Sequence, residues 1–489
     1  MTIKKLFVAN RAEIALRIVR TAQRMGIATV VPWHQRDRHG PAMRVADETV
    51  ELFGDPPVSA WLDAQALIAA AVQTGCDAIH PGYGFLSENA GFARAVAKAG
   101  LTFVGPPADV IDLMGDKITA RQFATRCGVP VTPSADESES PESFPERAQA
   151  IGFPLLIKGA AGGGGKGMQI VRDASMLTQA IAVARAESQR YFGDGRLLAE
   201  RFVEQPRHIE VQVFGDSQGG LIHLGERECS IQRRFQKLIE ETPAPTLAPE
   251  LRERICDAAV NLASAAGYVN AGTVECIVSQ TGEFYFLEMN TRLQVEHPVT
   301  EMVTGLDLVE WQLRVAQGEA LPLRQEDVRW HGCAMECRIL AEDADAGFVP
   351  DTGKVLLLQE PQGPGVRFDA GVVQGSTVSA DFDSLLAKLV VHGANRDLAI
   401  SRMRQALNDT VMLGVTINAH FLGRVLAHPA FQAGAIDTDF LDRHKSELQP
   451  VAWTDDECRA LVAAAAMVSK SPHINKVMEP HASMGAWHN

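Results

Sequence analysis

Long apolar runs are absent from this sequence. No uninterrupted apolar stretch reaches about 18 residues, the minimum for a helix that crosses a membrane. The N-terminal residues, MTIKKLFVAN, contain too short an apolar run for a secretory signal peptide. The sequence therefore indicates no membrane span, and we expect a cytoplasmic protein.

Cysteine is scarce. The eight cysteines are scattered over 489 residues, and only Cys333 and Cys337 stand close together. This pair has neither the C-x-x-C spacing nor the second pair that a zinc site requires. We therefore predict buried, reduced thiols, as is usual in a reducing compartment.

Basic residues are outnumbered. The chain has 46 lysines and arginines against 60 aspartates and glutamates, a formal net charge of −14. Because nucleic acids are bound by a basic face, this balance argues against a general nucleic-acid-binding protein. The composition, 46% hydrophobic and 22% charged, is that of an ordinary globular protein, and the length predicts roughly three domains.

The first hundred residues alternate between strand and helix patterns. The apolar spacing predicts strands and helices in turn at 5–9, 13–25, 27–32, 64–74, 77–79, 92–99 and 101–104. Such alternation predicts a mostly parallel sheet with helices on both faces. The loop NRAE after the first strand lacks the G-x-G-x-x-G pattern, which argues against a dinucleotide site there.

A run of glycines follows a polar segment, 133–147, that we expect to be a surface connection. A strand predicted at 153–158 leads into KGAAGGGGKGM, whose backbone N–H groups could bind an anion. It is not a P-loop, because Lys166 is followed by Gly-Met rather than Ser or Thr. The run itself supports a phosphate lid and an unliganded loop about equally, and Lys158 at the strand end favours phosphate. Lys117 would by itself be a solvated surface charge.

Two carboxylates stand on a predicted hairpin. Apolar strands at 274–278 and 284–289 flank Thr281-Gly282, and a two-residue loop there places Glu275 opposite Glu288. Asn290 lies on the same face. Facing carboxylates repel, and a bound cation would relieve the repulsion; oxygen ligands suit Mg²⁺. The alternative is a solvated sheet face, which the apolar flanks make the weaker interpretation.

Three more polar residues continue with a period of two beyond this hairpin. They are Arg292, Gln294 and Glu296. Arginine binds carboxylate-like anions with two parallel hydrogen bonds, and a neighbouring carboxylate can accept a proton. Together they could bind and deprotonate a small oxyanion.

These motifs resemble those of the ATP-grasp enzymes and, more closely, biotin carboxylase, the component shared by acetyl-, propionyl- and methylcrotonyl-CoA carboxylases and pyruvate carboxylase. The resemblance covers residues 3 to about 445. It is carried by ANRAEIALRI at 9–18, HPGYGFLSEN at 80–89, EMNTRLQVEHPVTE at 288–301 and MECRI at 335–339.

The resemblance implies an α/β fold: an ATP-grasp fold with an N-terminal doubly wound parallel sheet, a glycine-rich lid subdomain and a C-terminal α+β domain. The domains would be 1–113 (N-terminal), 114–330 (ATP-grasp, with the lid at about 131–203), 331–445 (C-terminal) and 446–489 (tail, with a helix predicted at 455–467).

The resemblance also implies roles for individual residues. Contacts to ATP would come from Lys117, Lys158, Gly164, Gly165, Glu200, Arg201, Val203, His208 and Gln232. Ligands of Mg²⁺ (or Mn²⁺) would be Glu275, Glu288 and Asn290. Bicarbonate would be held by Lys237, Arg292, Gln294 and the backbone of Val295, with Glu296 as general base and Arg338 steadying the biotin enolate.

The implied cofactors are ATP, Mg²⁺ and biotin supplied on a carrier protein. The implied partners are a biotin carboxyl carrier protein or domain and a carboxyltransferase subunit, in a homodimer or larger complex, without nucleic acid or membrane. Carrier domains present a lysine between two methionines, and no Met-Lys-Met occurs here, so we expect no biotin on this chain. The alternatives are another ATP-grasp carboxylate ligase and a homologue without turnover.

The sequence departs from the family pattern at a few positions. Ala12 replaces a usual glycine, Arg201 a common lysine, Phe235 a frequent histidine that reaches the nucleotide, and Phe382 a frequent tyrosine. None is at a metal or bicarbonate position.

Overall fold

The structure, a computed structural model, describes residues 2–160, 168–450 and 454–470. The chain forms two compact units, Met1–Leu448 and Gln449–Asn489. No helix in the described ranges is long and apolar enough to cross a membrane.

A five-stranded parallel sheet forms the N-terminal region. Its strands are β1 (Lys5–Val8), β2 (Ala28–Trp33), β3 (Glu48–Glu51), β4 (Ala78–His80) and β5 (Thr102–Phe103), and its helices are α1 (Ala12–Arg24), α2 (Pro41–Val45), α3 (Ala64–Gln73), α4 (Ala90–Lys98) and α5 (Ala108–Gly115). The strand order is β3-β2-β1-β4-β5. Phe7 packs into the core on one side of the sheet, Leu6 and Val8 into the core on the other. The predicted doubly wound arrangement is confirmed.

The region around the predicted lid contains a small antiparallel sheet. Its elements are α6 (Lys117–Arg126), β6 (Ser134–Asp136), α7 (Phe144–Ala150), β7 (Leu155–Gly159), β8 (Gln169–Val171), α8 (Ala174–Phe192) and β9 (Leu197–Arg201). The strand order is β6-β9-β7-β8. The prediction of a plain surface connection at 133–147 is wrong. Ala135 lies in the strand paired with β9, and Phe144, fully buried, anchors the start of a helix.

The rest of the first unit is built around one large sheet. Its strands, and those of three small two-stranded sheets, are β10 (Arg207–Gly215), β11 (Leu221–Arg233), β12 (Gln236–Thr242), β13 (Asn270–Val278), β14 (Phe284–Asn290), β15 (Cys333–Leu340), β16 (Glu342–Asp343), β17 (Val349–Pro350), β18 (Gly353–Lys354), β19 (Leu357–Gln359), β20 (Val366–Ala370), β21 (Thr377–Val378), β22 (Leu385–Gly393) and β23 (Val411–Leu413). The helices are α9 (Pro249–Ala265), α10 (His297–Thr304), α11 (Leu308–Ala316), α12 (Arg396–Asp409), α13 (Ala419–Ala427), α14 (Pro429–Gln432) and α15 (Phe440–Arg443).

The large sheet has eight strands in the order β14-β13-β10-β11-β12-β15-β22-β20. Its β12–β15 pair joins strands on either side of residue 330, so the predicted domain boundary lies within one continuous sheet. Along β10, Ile209, Val211 and Val213 pack into a hydrophobic core. The alternate residues therefore point to the opposite face, where the candidate site lies.

The second unit contains the helix α16 (Asp455–Lys470), which confirms the helix predicted in the tail. All eight cysteines are free thiols, as predicted. Five are buried, but Cys127 and Cys333 are half-buried and Cys458 is exposed, so the prediction of burial fails for these three.

A buried ion cluster joins the N-terminal helix to the large sheet. Glu301 on α10 accepts hydrogen bonds from Arg17 of α1 at 2.6 Å and from Arg367 of β20 at 2.7 Å. Burial raises the pKa of this carboxyl, but the two arginines outweigh burial and lower the pKa from 4.5 to about 2. A carboxyl with a lowered pKa in the folded state stabilises the protein above its unfolded-state pKa, and that stabilisation is lost as the pH falls towards the folded-state value.

We therefore expect Glu301→Gln to lower the free energy of unfolding at pH 7 by about 3 kcal/mol, since one pKa unit corresponds to ~1.4 kcal/mol. Urea titrations of both proteins should show the difference shrinking as the pH falls from about 5 to 3. Glu310→Gln, which removes a partly exposed pair with Arg314, is the control and should cost below ~1 kcal/mol. If Glu301→Gln lost as much stability at about pH 3 as at pH 7, the lowered pKa assigned to Glu301 would be contradicted.

Candidate active site

The β13–β14 hairpin brings two carboxylates together. Glu275 lies directly opposite Glu288, as predicted. The predicted turn is wrong, however: the Ser279 N–H donates to the Glu283 carbonyl at 2.8 Å, so the loop has three residues rather than two. The longer loop shifts the register by one residue, and a bulge at Leu287 shifts it back before Glu288 is reached.

A half-buried lysine contacts three carboxylates. Nζ of Lys237 lies 2.5 Å from Glu210, 2.6 Å from Glu296 and 2.9 Å from Glu275. Burial lowers the pKa of this ammonium, but the three carboxylates outweigh burial and raise it well above its ordinary value. Lys237 is therefore charged, and it couples the predicted bicarbonate residues to the predicted metal ligand Glu275.

Glu296 lies between two cations. Its Oε1 contacts Lys237, and its Oε2 accepts a hydrogen bond from Nη2 of Arg338 at 2.9 Å. Burial raises the pKa of this carboxyl, whereas Lys237, Arg338 and Arg227 lower it, and the net pKa is well below the ordinary value. The carboxyl is therefore ionised and able to accept a proton.

Sequence reasoning missed two residues beneath this group. Arg227 on β11 is fully buried and donates to Glu210 on β10 at 2.5 Å and to Gln212 at 2.8 Å. Glu210 thereby bridges Arg227 and Lys237. The available signal was the alternation along β10, which places polar residues at every second position of an otherwise apolar strand.

Asn290, Arg292 and Gln294 form a hydrogen-bonded set around Glu275. Asn290 and Gln294 donate through their amides to Glu275 Oε1 at 2.9 and 3.1 Å. Arg292 donates to the amide oxygens of both at 2.8 Å, and its Nε donates to Glu88 at 2.8 Å. The structure thus brings these predicted residues onto one face, with Glu88 as an addition.

Val295 contributes through its backbone. Its carbonyl accepts a hydrogen bond at 3.0 Å from Nζ of Lys388, a fully buried lysine on β22 that sequence reasoning missed. Lys388 also lies 3.6 Å from Glu13 of α1. The loop that carries the predicted bicarbonate residues is therefore tied to both the N-terminal region and the large sheet.

Two buried lysines lie at the other end of the site. Nζ of Lys117 contacts Glu288 at 2.8 Å, and Nζ of Lys158 contacts Glu200 at 2.6 Å. Burial lowers the pKa of Lys158, Glu200 opposes this effect, and the nearby cations Arg121 and Lys117 add to the net lowering. Two neighbouring buried ammonium groups favour a polyanionic ligand. Arg121, not predicted, fixes the other oxygen of Glu200 at 2.8 Å.

The remaining predicted residues are placed as follows. His208 Nε2 lies 3.1 Å from Glu275, and Gln232 pairs with Lys237 across β11–β12. Arg201 is the exposed last residue of β9, and Val203 follows that strand. The predicted lid residues Gly164 and Gly165 lie outside the described residues.

Two of the departures have a structural account. Ala12, where the family usually has glycine, has a φ of +55°, in the left-handed region that favours glycine. Phe235 lies at the tip of the β11–β12 hairpin and is 43% exposed.

The donor set fits a divalent cation of the magnesium type. Glu275 and Glu288 supply paired carboxylates, Asn290 supplies an amide oxygen, and Lys237 and Lys117 balance the carboxylates in the present arrangement. Oxygen ligands of this kind are those that Mg²⁺ prefers.

Family models of known proteins match most of the first unit. Residues 2–111 match the family model for the biotin carboxylase N-terminal domain, 116–324 that for the carbamoyl-phosphate synthase L chain ATP-binding domain, and 336–443 that for the biotin carboxylase C-terminal domain. Biotin carboxylase of Haemophilus influenzae is 46% identical over 443 residues, which cover 90% of this chain and 98% of that protein. The chain belongs to the biotin carboxylase family.

This chain is also similar to a longer member of the biotin carboxylase family and to members with solved structures. The mitochondrial methylcrotonoyl-CoA carboxylase alpha chain of Oryza sativa is 46% identical over 98% of this chain, which spans 66% of that relative. The biotin carboxylase domain of Hydrogenobacter thermophilus 2-oxoglutarate carboxylase, solved with MgADP, ADP and bicarbonate, has a TM-score of 0.90 and 42% identity, covering 92% of this chain and 100% of that one. A Campylobacter jejuni biotin carboxylase–nucleotide complex has a TM-score of 0.88 and 42% identity, covering 90% and 99%.

The predicted ATP-grasp fold class is confirmed by these structures. As a member of the biotin carboxylase family, the chain is an ATP-dependent ligase that carboxylates biotin, with ATP, Mg²⁺ and carrier-bound biotin as the family's cofactors.

Proposed function

We propose that the residues described above carry out this carboxylation in the roles implied by their positions. The observation that carries the proposal is the place of Glu296, whose carboxylate lies between Lys237 at 2.6 Å and Arg338 at 2.9 Å. One cation belongs to the predicted bicarbonate pocket and the other to the predicted biotin site. A base in this position can deprotonate the bicarbonate that binds beside Lys237 and still lie next to the biotin that binds beside Arg338.

ATP would bind at the end of the site that carries Lys117 and Lys158. These two lysines would contact its phosphates, beneath a lid that includes Gly164 and Gly165. Adenine would lie along the backbone of Glu200, Arg201 and Val203, and the ribose near His208 and Gln232. The two buried ammonium groups support this assignment, because Lys117 lowers the pKa of Lys158 and a bound polyanion would offset this repulsion.

Glu275, Glu288 and Asn290 would hold Mg²⁺. When bound, the ion would neutralise charge on the phosphate oxygens and help to orient the transferred group. Lys237 and Lys117, which contact Glu275 and Glu288 in this structure, would then be released towards the anionic substrates.

Bicarbonate would be held by Arg292, Gln294, the backbone of Val295 and Lys237. Glu296 takes the bicarbonate proton, the resulting oxyanion attacks the γ-phosphorus of ATP, and the bond to ADP breaks, which gives carboxyphosphate. An anion that takes over the hydrogen bond from Lys237 also removes the contact that holds the pKa of Glu296 low. Substrate binding would thus strengthen the base.

Biotin would be carboxylated within the same closed site. Carboxyphosphate splits into CO₂ and phosphate, the phosphate takes the N1′ proton of biotin, and the enolate attacks CO₂ through N1′. Arg338 would steady the negative enolate oxygen by hydrogen bonding. Exclusion of water protects the unstable intermediate.

The partners would be a biotin carboxyl carrier protein or domain and a carboxyltransferase subunit, in a homodimer or larger complex. An acyl-CoA is proposed as the final acceptor, because the chain spans about two thirds of the alpha chains of several methylcrotonoyl-CoA carboxylases at 44–46% identity. Pyruvate is the second candidate, because a pyruvate carboxylase chain of Methanothermobacter thermautotrophicus is 44% identical and covered over 93% of its length.

The proposal predicts ADP release that depends on bicarbonate and increases severalfold with free biotin, because biotin consumes the intermediate. The measurement is a coupled ADP assay with each substrate omitted in turn, together with transfer of labelled carbon from bicarbonate to biotin. Turnover that requires an amine instead of bicarbonate would point to a different ATP-grasp ligase.

A further inference from the structure

Arg338 is held from behind by a carboxylate that the mechanism above does not use. Its Nε donates to Oε1 of Glu240 at 2.6 Å, while Nη2 donates to Glu296 at 2.9 Å. Glu240 lies on β12, next to β15, and is completely buried. Two hydrogen bonds at different nitrogens fix the plane of the guanidinium, because a single contact would leave it free to rotate.

A second carboxyl group lies directly beside Glu240. Glu336 on β15 is its cross-strand partner and is also fully buried. Neither oxygen of Glu336, nor Oε2 of Glu240, has a hydrogen-bond partner among the described residues. Ionisation of both carboxyl groups is energetically unfavourable, because two facing negative charges repel each other and burial removes their hydration.

Burial raises the pKa of both groups, that of Glu240 to about 7 and that of Glu336 well above its ordinary value. Of the other charged groups, Arg338 and Lys237 lower the pKa of Glu240, and Glu296 raises it. With Glu336 neutral, the Arg338 guanidinium faces at most two carboxylates instead of three, so less negative charge opposes the enolate that forms beside it.

We propose that Glu240 is a positioning residue that orients Arg338 for the biotin half of the reaction. Glu336 fills the space behind Arg338 beside Glu240 and adds no second negative charge there. This inference rests on the proposed function, since it concerns the step in which Arg338 meets the enolate. Nη1 of Arg338 makes no hydrogen bond to a described residue, so this nitrogen is the one that Glu240 leaves available for the ligand.

The test is a double-mutant cycle on purified full-length chain, with free biotin as substrate. We expect Glu240→Ala to lower kcat for biotin carboxylation by about tenfold to a hundredfold, the usual effect of a misplaced group, with KM for ATP changed by less than about twofold. Because Glu240 acts through Arg338, the double variant with Arg338→Ala should be no slower than Arg338→Ala alone. Glu240→Gln retains an acceptor for Nε and should recover kcat to within about fivefold of the wild type.

The matched control is Glu241→Ala. Glu241 is the next residue on β12, is buried and is paired with Arg396 of α12, away from Arg338. The Glu241→Ala variant should be less stable than the wild type, but its kcat for biotin carboxylation should be unchanged. Three results would each overturn the inference: wild-type turnover in Glu240→Ala, losses that multiply in the double variant, or Glu240→Gln as slow as Arg338→Ala.

If Glu240→Ala does not fold, Glu240→Gln in the same cycle decides the question. A wild-type enzyme whose ADP release ignores bicarbonate and biotin would instead overturn the proposed function itself, and this inference with it. The outcomes that contradict the inference alone all occur in variants of an active wild type.

Discussion

Replacement of Glu288 by glutamine is expected to lower ATP turnover by at least about a hundredfold, because the proposed magnesium ligand next to the reacting phosphate is lost. The fold should survive. Glu288 faces Glu275 across the hairpin, and removal of one of two facing carboxylates relieves their repulsion. ADP release at saturating Mg²⁺ and the urea midpoint are the two measurements.

Glu283→Gln is the matched control for this change. Glu283 lies on the same hairpin next to the loop, where its side chain is exposed to solvent, so its loss should leave turnover unchanged. If Glu288→Gln retained near-normal activity at saturating Mg²⁺, the assignment of Glu288 as a metal ligand would be wrong.

Replacement of Lys237 by methionine should remove both activity and much of the stability. Lys237 is the cation shared by Glu210, Glu275 and Glu296, all of them buried. When one partner of a buried ion pair is removed, the uncompensated charge costs about 3–5 kcal/mol. We expect a loss of that size in the free energy of unfolding at pH 8, and no measurable bicarbonate-dependent ADP release.

The stability loss in Lys237→Met should depend on pH. Without the ammonium, the buried carboxyl groups have raised pKa values in the folded state, so the folded variant binds protons that the unfolded chain releases. Its stability relative to the wild type should therefore improve as the pH falls from about 8 to 5. Urea titrations across this range measure the effect, and Lys354→Met, at an exposed position, is the control. Wild-type stability of Lys237→Met at pH 8 would contradict the description of Lys237 as the central cation.

The partners of the proposed site residues were harder to predict than the residues themselves. Glu210 and Lys237 are 27 residues apart, Arg121 and Glu200 are 79 apart, and Arg338 and Glu240 are 98 apart. Local patterns show that a residue is polar and on which face of a strand it lies, but not whether that face is solvated. A charged residue on an inward face looks the same in sequence as one on the surface until the opposing strand is known.

The hairpin shows how a correct pairing can come from an incorrect turn. The two-residue loop at Thr281-Gly282 was wrong, and the bulge at Leu287 compensated for the extra loop residue. Turn length and bulge position depend on how β13 pairs with β10 and on how β14 packs against α5 and α6. The alternation of Glu288 and Asn290 was a property of the strand alone and was therefore predicted reliably.

Sequence patterns were enough to predict the alternating N-terminal sheet, the facing carboxylates and, through the long motifs, the family. These properties depend on short-range periodicity and on consecutive residues, which the chain carries locally. The three-dimensional fold was needed to show that Lys237 contacts three carboxylates and that Lys388 connects the Val295 loop to two other regions. The same is true of Glu240 and Glu336, which lie side by side behind Arg338. Such contacts depend on which strands become neighbours, and the energy of a buried charge depends on every group that surrounds it.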